Sequence, residues 1–110
     1  MISLRDIAYA RSGDKGNMAN IALFARTPEA YRWLREHLSA EAVERYFKPL
    51  GVGTVRRYDV PNLEALNFVL PDALGGGGSR SLRIDAQGKT LGMALLELRV
   101  EAPPALVALP

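Results

Sequence analysis

The chain has no cysteine and one histidine, His37, among its 110 residues. Disulfide bonds, thiolate-held metal sites and catalysis by a cysteine nucleophile are therefore excluded. A histidine-based metal site would also need carboxylate ligands, and neither an HxxH nor an HExxH spacing occurs. We accordingly expect no metal ion and no resident cofactor.

Long apolar runs are also missing from the sequence. No run approaches the roughly 20 apolar residues that a membrane span requires. The first residues, "MISLRDIAYARSG", meet charge at Arg5 and Asp6, which is unlike the apolar region of a signal peptide. We therefore expect a cytoplasmic protein with no membrane partner.

The sequence also lacks a region of concentrated positive charge. The formal net charge is +2, and the basic residues are spread along the chain among acidic ones. Nonspecific nucleic-acid binding needs a concentrated basic face. Tyr9, Phe24 and Tyr58 do not form the aromatic motif of an RNA-binding sheet. We expect no nucleic-acid partner.

The composition that is present, 48% hydrophobic and 24% charged residues, is typical of a globular protein. A length of 110 residues fits one domain, which we place at residues 1–102. Pro103 and Pro104 end the regular structure. Residues 103–110 are then a tail, either a loose terminus or a contact with another subunit.

The first half of the chain predicts two strands followed by two helices. "ISLRDIAYA" (2–10) and "NMANIALFAR" (17–26) are short and rich in apolar residues, as strands are. Thr27 and Ser39 are suitable N-caps, and apolar residues recur at helical spacing after each of them. We predict two consecutive helices, or one bent helix, from about residue 28 to 48.

The second half predicts a strand in "GTVRRYDVP", a short helical stretch in "NLEALNFVL" and a closing hairpin of "LRID" with "TLGMALLELRV". The last of these segments also has helix-forming composition, so both structures stay open for it. Strands and helices alternate irregularly, and the order predicts an α+β fold with helices on one face of a mainly antiparallel sheet.

The stretch "RSGDKGNMAN" (11–20) is the first candidate site. Its glycines permit positive φ and close backbone approach, and successive amides in such a turn can bind an anion. The basic side chains would add positive charge, and the carboxylate could act as a base. The amide side chains could hydrogen-bond to a carbonyl group of a ligand. It is not a nucleotide P-loop, which needs GxxxxGK[ST]. The alternative is a turn that only connects two strands and whose polar side chains stabilise it. The candidate residues are Arg11, Ser12, Gly13, Asp14, Lys15, Gly16, Asn17 and Asn20.

The glycine-rich stretch "GGGGSRSLR" is the second candidate. Glycines allow a backbone to approach a ligand, serines donate hydroxyls and arginines clamp anions in bidentate fashion. A flexible loop is the alternative. Asn67 lies within the apolar "ALNFVL" and needs hydrogen-bond partners if buried, either in a site or on the local backbone. The candidate residues of the stretch are Gly75, Gly76, Gly77, Ser79, Arg80 and Arg83.

Three motifs together resemble those of the small ferredoxin-like domain of the acyclic terpene utilisation family. They are "RSGDKGN" followed by "AN" and an apolar strand, "RYDVPNLEALNFVL", and "LGGGGSRSLRIDAQGK", within about residues 6–100. The resemblance implies a ferredoxin-like α+β sandwich, and the missing cysteines exclude a cysteine-held iron–sulfur cluster. It also implies a link to the breakdown of branched or terpenoid acids as acyl-CoA thioesters. The resemblance assigns no catalytic residue.

In that family the domain often follows a large N-terminal domain in one chain, and it also occurs as a separate small protein. One hypothesis is therefore a subunit that pairs with itself or with a large partner chain and completes a shared site. In that site the two glycine stretches and Asn67 would converge. The alternative is a stand-alone binder or enzyme for a CoA-type or other anionic metabolite.

Overall fold

A four-stranded antiparallel sheet in the order β2-β3-β5-β4 forms the centre of the computed structural model, which describes residues 1–15, 18–72 and 89–107. A short antiparallel ribbon, β1 with β6, lies beside it. The strands are β1 Ile2–Ser3, β2 Ala8–Lys15, β3 Met18–Ala25, β4 Arg56–Val60, β5 Ala65–Leu70 and β6 Arg99–Val100. The helices are α1 Pro28–His37, α2 Ala40–Phe47 and α3 Lys89–Leu96. The predicted ferredoxin-like α+β fold is confirmed.

Helices α1 and α2 begin where the sequence predicts. The Thr27 hydroxyl accepts a hydrogen bond from the Ala30 amide at 3.0 Å, and the Ser39 hydroxyl accepts one from the Ala42 amide at 3.1 Å. Each bond satisfies one of the amides that a helix leaves unpaired in its first turn. Pro28 occupies the first turn of α1, where its missing N–H costs nothing. The chain therefore forms two helices.

The core lies between the helices and one face of the sheet. Along β3, Ala19, Ile21 and Leu23 are buried while their neighbours are not, which is the alternation of a strand with one covered face. Each buried aliphatic side chain contributes about 1.5–3 kcal/mol relative to exposure. The facing residues from β5 and the helices include Leu66, Phe68, Leu70, Leu34, Val43, Phe47, Leu91 and Leu95.

The helical stretch predicted in 62–70 is wrong. A single 3₁₀ turn, Pro61–Leu63, ends at Glu64 with φ of 51°, and the chain then enters β5. Leu66, Phe68 and Leu70 of β5 are buried on the helix side, but Ala65 and Val69 on the other face are also apolar, so the sequence lacks the alternation that identifies a half-exposed strand. Periodicity alone cannot distinguish such a run from a helix.

Of the two structures left open for the last segment, residues 89–96 form a helix, α3, and not a strand of the closing hairpin, and β6 is only Arg99–Val100. Helix α3 packs on β2. Within α3, Gly92 is buried against β2, where an added Cβ would collide with the Ser12 hydroxyl. Because it has no side chain, Gly92 lets the helix approach the sheet closely. The segment "LRID" lies outside the described residues.

The predicted strand 2–10 is interrupted by a 3₁₀ turn at Leu4–Asp6, so that β2 starts only at Ala8. At the other end of the chain, Leu106 and Val107 are half-buried against the core. The boundary at residue 102 stays a prediction. No helix within the described ranges has both the length and the hydropathy to cross a membrane.

Arg57 joins the edge strand β4 to the end of α1. Its Nη1 donates to the main-chain carbonyls of Arg35 at 3.0 Å and Leu38 at 2.9 Å. Its Nε lies 2.9 Å from a carboxylate oxygen of Asp59, which fixes the guanidinium in place. The last carbonyls of a helix have no partner within the helix, so this arginine satisfies two of them.

Replacing Arg57 by alanine should lower the free energy of unfolding by about 1–3 kcal/mol, because carbonyls at the end of α1 lose their donor. Urea unfolding followed by circular dichroism measures this. Arg56→Ala is the matched control, since Arg56 is exposed on the same strand, and its effect should stay within about 0.5 kcal/mol. Equal effects of the two substitutions would contradict the assignment.

Candidate functional site

The helices pack on one face of the four-stranded sheet, and the opposite face, which we call the open face, is covered by none of the helices in the described ranges. Successive side chains in a strand point to opposite faces, so the neighbours of core residues lie on the open face. The open face includes Tyr9, Arg11, Gly13, Met18, Asn20, Ala22, Phe24, Arg56, Tyr58, Asn67 and Val69. The register aligns them in rows across the strands.

Two asparagines far apart in sequence meet at the centre of the open face. The Asn20 amide nitrogen donates to the Asn67 amide oxygen at 3.2 Å, from β3 to β5. Gly13 lies opposite Asn20 in the register of β2 and β3. A Cβ at position 13 would come within 2.9 Å of the Asn20 amide oxygen. Gly13 therefore leaves the space that the Asn20 amide occupies.

The first candidate stretch is a β-hairpin: residues 11–15 belong to β2, beyond the predicted strand 2–10, and residues 18–20 belong to β3, within the predicted strand 17–26. Successive amides in a paired strand point to opposite sides, so residues 11–15 do not form the predicted anion-binding nest. Of the glycines that the structure describes, Gly51 has positive φ and Gly13 does not. Gly13 instead allows a side chain, the Asn20 amide, to approach the backbone closely. Close approach is the other role that the sequence suggested for this glycine.

The polar residues of β2 are divided between the two faces of the sheet. Arg11 is exposed on the open face. Ser12 lies on the opposite face beneath Gly92, and Asp14 has the same parity as Ser12. Lys15 pairs with Met18 at the end of the strand. The candidate residues of this stretch therefore do not share one surface.

Both described ends of the glycine-rich segment lie at the hairpin end of the sheet. β5 ends at Leu70, which pairs with Ala19 just after the hairpin turn. Helix α3 places Gly92 over Ser12, while the Leu98 carbonyl after it accepts from the Leu4 amide before β2. The start of α3 therefore points towards the hairpin. Gly16, Asn17, Gly75, Gly76, Gly77, Ser79, Arg80 and Arg83 lie outside the described residues.

A cleft of about 510 Å³ at this end of the open face contains residues that the sequence reasoning did not select. Its walls combine apolar groups with the guanidinium of Arg56 and the carboxylate of Asp72. The alternation of "RRYD" could have indicated it, because Arg56 and Tyr58 must share one face of β4. The lining residues are Met18, Gly53, Thr54, Arg56, Tyr58, Val69, Pro71 and Asp72.

The open face offers positive charge and amide groups. Arg11 lies on one outer strand and Arg56 on the other, and the asparagine pair lies between them. The strand residues that form this face include no carboxylate, and the Asp72 carboxylate lines the cleft at its end together with Arg56. Within the described ranges, His, Cys, Asp and Glu side chains do not gather in the groups of three that could hold a metal ion. The arrangement can bind carbonyl or anionic oxygens through N–H donors.

Gly13→Ala should displace the Asn20 amide and lower the free energy of unfolding by about 1 kcal/mol, although alanine is normally the better strand residue. Urea unfolding of Gly13→Ala, Asn20→Ala and the double variant measures the coupling free energy between the two positions. In the Asn20→Ala background the substitution at position 13 should be neutral or stabilising. The same loss in both backgrounds would show that the two positions are independent.

Comparison with protein families gives a match to the AtuA ferredoxin-like domain over residues 2–101 of the 110. Neither the curated proteins nor the solved structures give a match to the chain. The family match covers β1 to β6, and therefore both strands that hold the asparagine pair and all the motifs on which the resemblance rests. The chain thus belongs to the family of AtuA ferredoxin-like domains, which is part of the acyclic terpene utilisation family.

Proposed function

We propose that this chain is a small subunit that pairs with a large domain of the acyclic-terpene-utilisation type in the breakdown of branched or terpenoid acyl-CoA thioesters. In this proposal the hairpin end of the open face contributes polar residues to a site shared with the large domain. Family membership supports the pairing, because the ferredoxin-like domain of this family often follows a large domain in one chain.

The observation that carries the proposal is the Asn20–Asn67 pair on a sheet face without a helical cover. A half-buried amide pair of this kind contributes little to the core, which lies on the other side of the sheet. Strand β5, which carries Asn67, ends at Leu70 shortly before the glycine-rich segment, and this supports a site that the two build together.

The chemistry of the open face suits binding and polarisation. Amide and guanidinium N–H groups donate to a thioester carbonyl or to a carboxylate or phosphate oxygen. The strand residues of this face include neither a carboxylate nor a histidine to transfer a proton, and the Asp72 carboxylate lies in the adjoining cleft. A general acid or base would then come from outside this face, which agrees with an accessory role.

The test combines the purified chain with the large domain and follows a terpenoid acyl-CoA by mass spectrometry. We expect a complex in light scattering and conversion only when both proteins are present. Asn67→Ala should reduce conversion by about 100-fold while the complex still forms, as for the loss of one oxyanion donor. Asn62→Ala, an exposed asparagine in the turn before β5, is the matched control and should retain full activity. Full activity of Asn67→Ala, or no complex, would contradict the proposal.

The cleft beside Arg56 favours a second candidate, a stand-alone binder of a CoA-type or other anionic metabolite. Thermal unfolding of the isolated chain with coenzyme A and an acyl-CoA distinguishes the two candidates. A ligand at 100 times its Kd stabilises the folded state by about 2.7 kcal/mol. A clear rise in Tm with the chain alone, lost in Arg56→Ala, would support the second candidate, and an unchanged Tm would reject it. Light scattering of the same sample reports whether the chain forms a homo-oligomer.

A further inference from the structure

We infer that the open face is a docking surface for an acidic patch on a different protein, which, if the proposed function holds, is the large domain. The inference rests on the composition, the rigidity and the charge of this face.

The composition of the open face is that of a protein interface. Tyr9, Met18 and Tyr58 are 47%, 47% and 50% exposed, although they are large and apolar or amphipathic. Tyrosine, phenylalanine, methionine and arginine are enriched in interfaces, and lysine, glutamate and aspartate are depleted. Tyrosine and arginine are also the residues in which binding energy concentrates. These residues lie on one face of the four-stranded sheet.

The aromatic groups of this surface are already ordered. The rings of Tyr9 and Phe24 stack with centroids 5.1 Å apart and planes 9° apart, and Arg26 lies 5.9 Å over the Tyr9 ring. Their strands are paired along their whole length. Docking then loses little side-chain entropy, which is a main cost of association.

The charge of the surface determines the kind of partner. Arg11 and Arg56 lie on the two outer strands, separated by about 14 Å across the sheet and by two residues along it, and both are exposed. The aspartates of the same strands, Asp14 and Asp59, have the opposite parity, and Asp59 is bound to Arg57. Electrostatic complementarity therefore requires carboxylates on the partner, placed to meet the two arginines.

The same charge argues against a second copy docked face to face. A two-fold interface brings the same patch together from both subunits, so two positive faces would meet.

The arrangement of the aromatic rings argues against single-stranded nucleic acid as the partner. Tyr9 and Phe24 stack on each other and do not offer the separate ring faces on which successive bases stack. A protein with an acidic surface fits both observations.

The test measures the affinity of the large domain for the wild-type chain and for the double variant Arg11→Glu/Arg56→Glu. We expect the double variant to weaken binding by at least about 100-fold and Tyr58→Ala by about 10-fold. Raising the salt from about 50 to about 300 mM should weaken the wild-type complex, because screening shortens the reach of the charges. Arg32→Glu, at an exposed arginine of α1, is the control and should change the affinity less than about twofold.

Circular dichroism and Tm of each variant establish that it is folded. Tyr58→Ala and the salt series keep the inference testable should the double variant unfold. Wild-type binding that survives the double variant and Tyr58→Ala would overturn this inference and leave the proposed function standing. No binding by the wild-type chain would overturn both. Self-association, or binding of a single-stranded oligonucleotide, that the double variant abolishes would assign the face to a second copy or to nucleic acid, and would overturn the inference.

Discussion

The alternation of strand β3 between a covered and an open face is the constraint on which the rest of the structure depends. Ile21 and Leu23 are fully buried on the helix side, whereas Asn20 and Ala22 lie on the other side. A shift of one residue would exchange these sets and bury the amide in the core. The aliphatic residues therefore fix the register, and the register in turn places Asn20 beside Asn67.

Strand β2 shows how closely the core and the candidate site are joined. On the helix side of the sheet, Gly92 of α3 packs against Ser12. On the open face, the Asn20 amide lies against the adjacent residue, Gly13. Both contacts depend on a missing Cβ. The packing of α3 on β2 and the position of the amide pair are thus set at neighbouring residues of a single strand. Substitutions at either glycine act on the fold and on the open face together.

Adjacent arginines on strand β4 illustrate the same division of roles. Arg57 points to the helix side and satisfies carbonyls at the end of α1, with Asp59 holding its guanidinium. Arg56 points the other way, into the cleft and towards the open face. Residue type does not separate a structural arginine from one available to a partner. The position along the strand distinguishes the two arginines, because successive side chains point to opposite faces of the sheet.

The sequence by itself determined the elements whose signals are local. The N-caps Thr27 and Ser39 act within three residues, so the two helices were predictable, and the quoted motifs identified the family. Tertiary structure decided the rest. The segment 65–70 is a strand because β3 and β4 bond to both of its edges, and 89–96 is a helix that packs on β2. The meeting of Asn20 with Asn67, 47 positions apart, follows from strand pairing, which is a non-local interaction that no local pattern records.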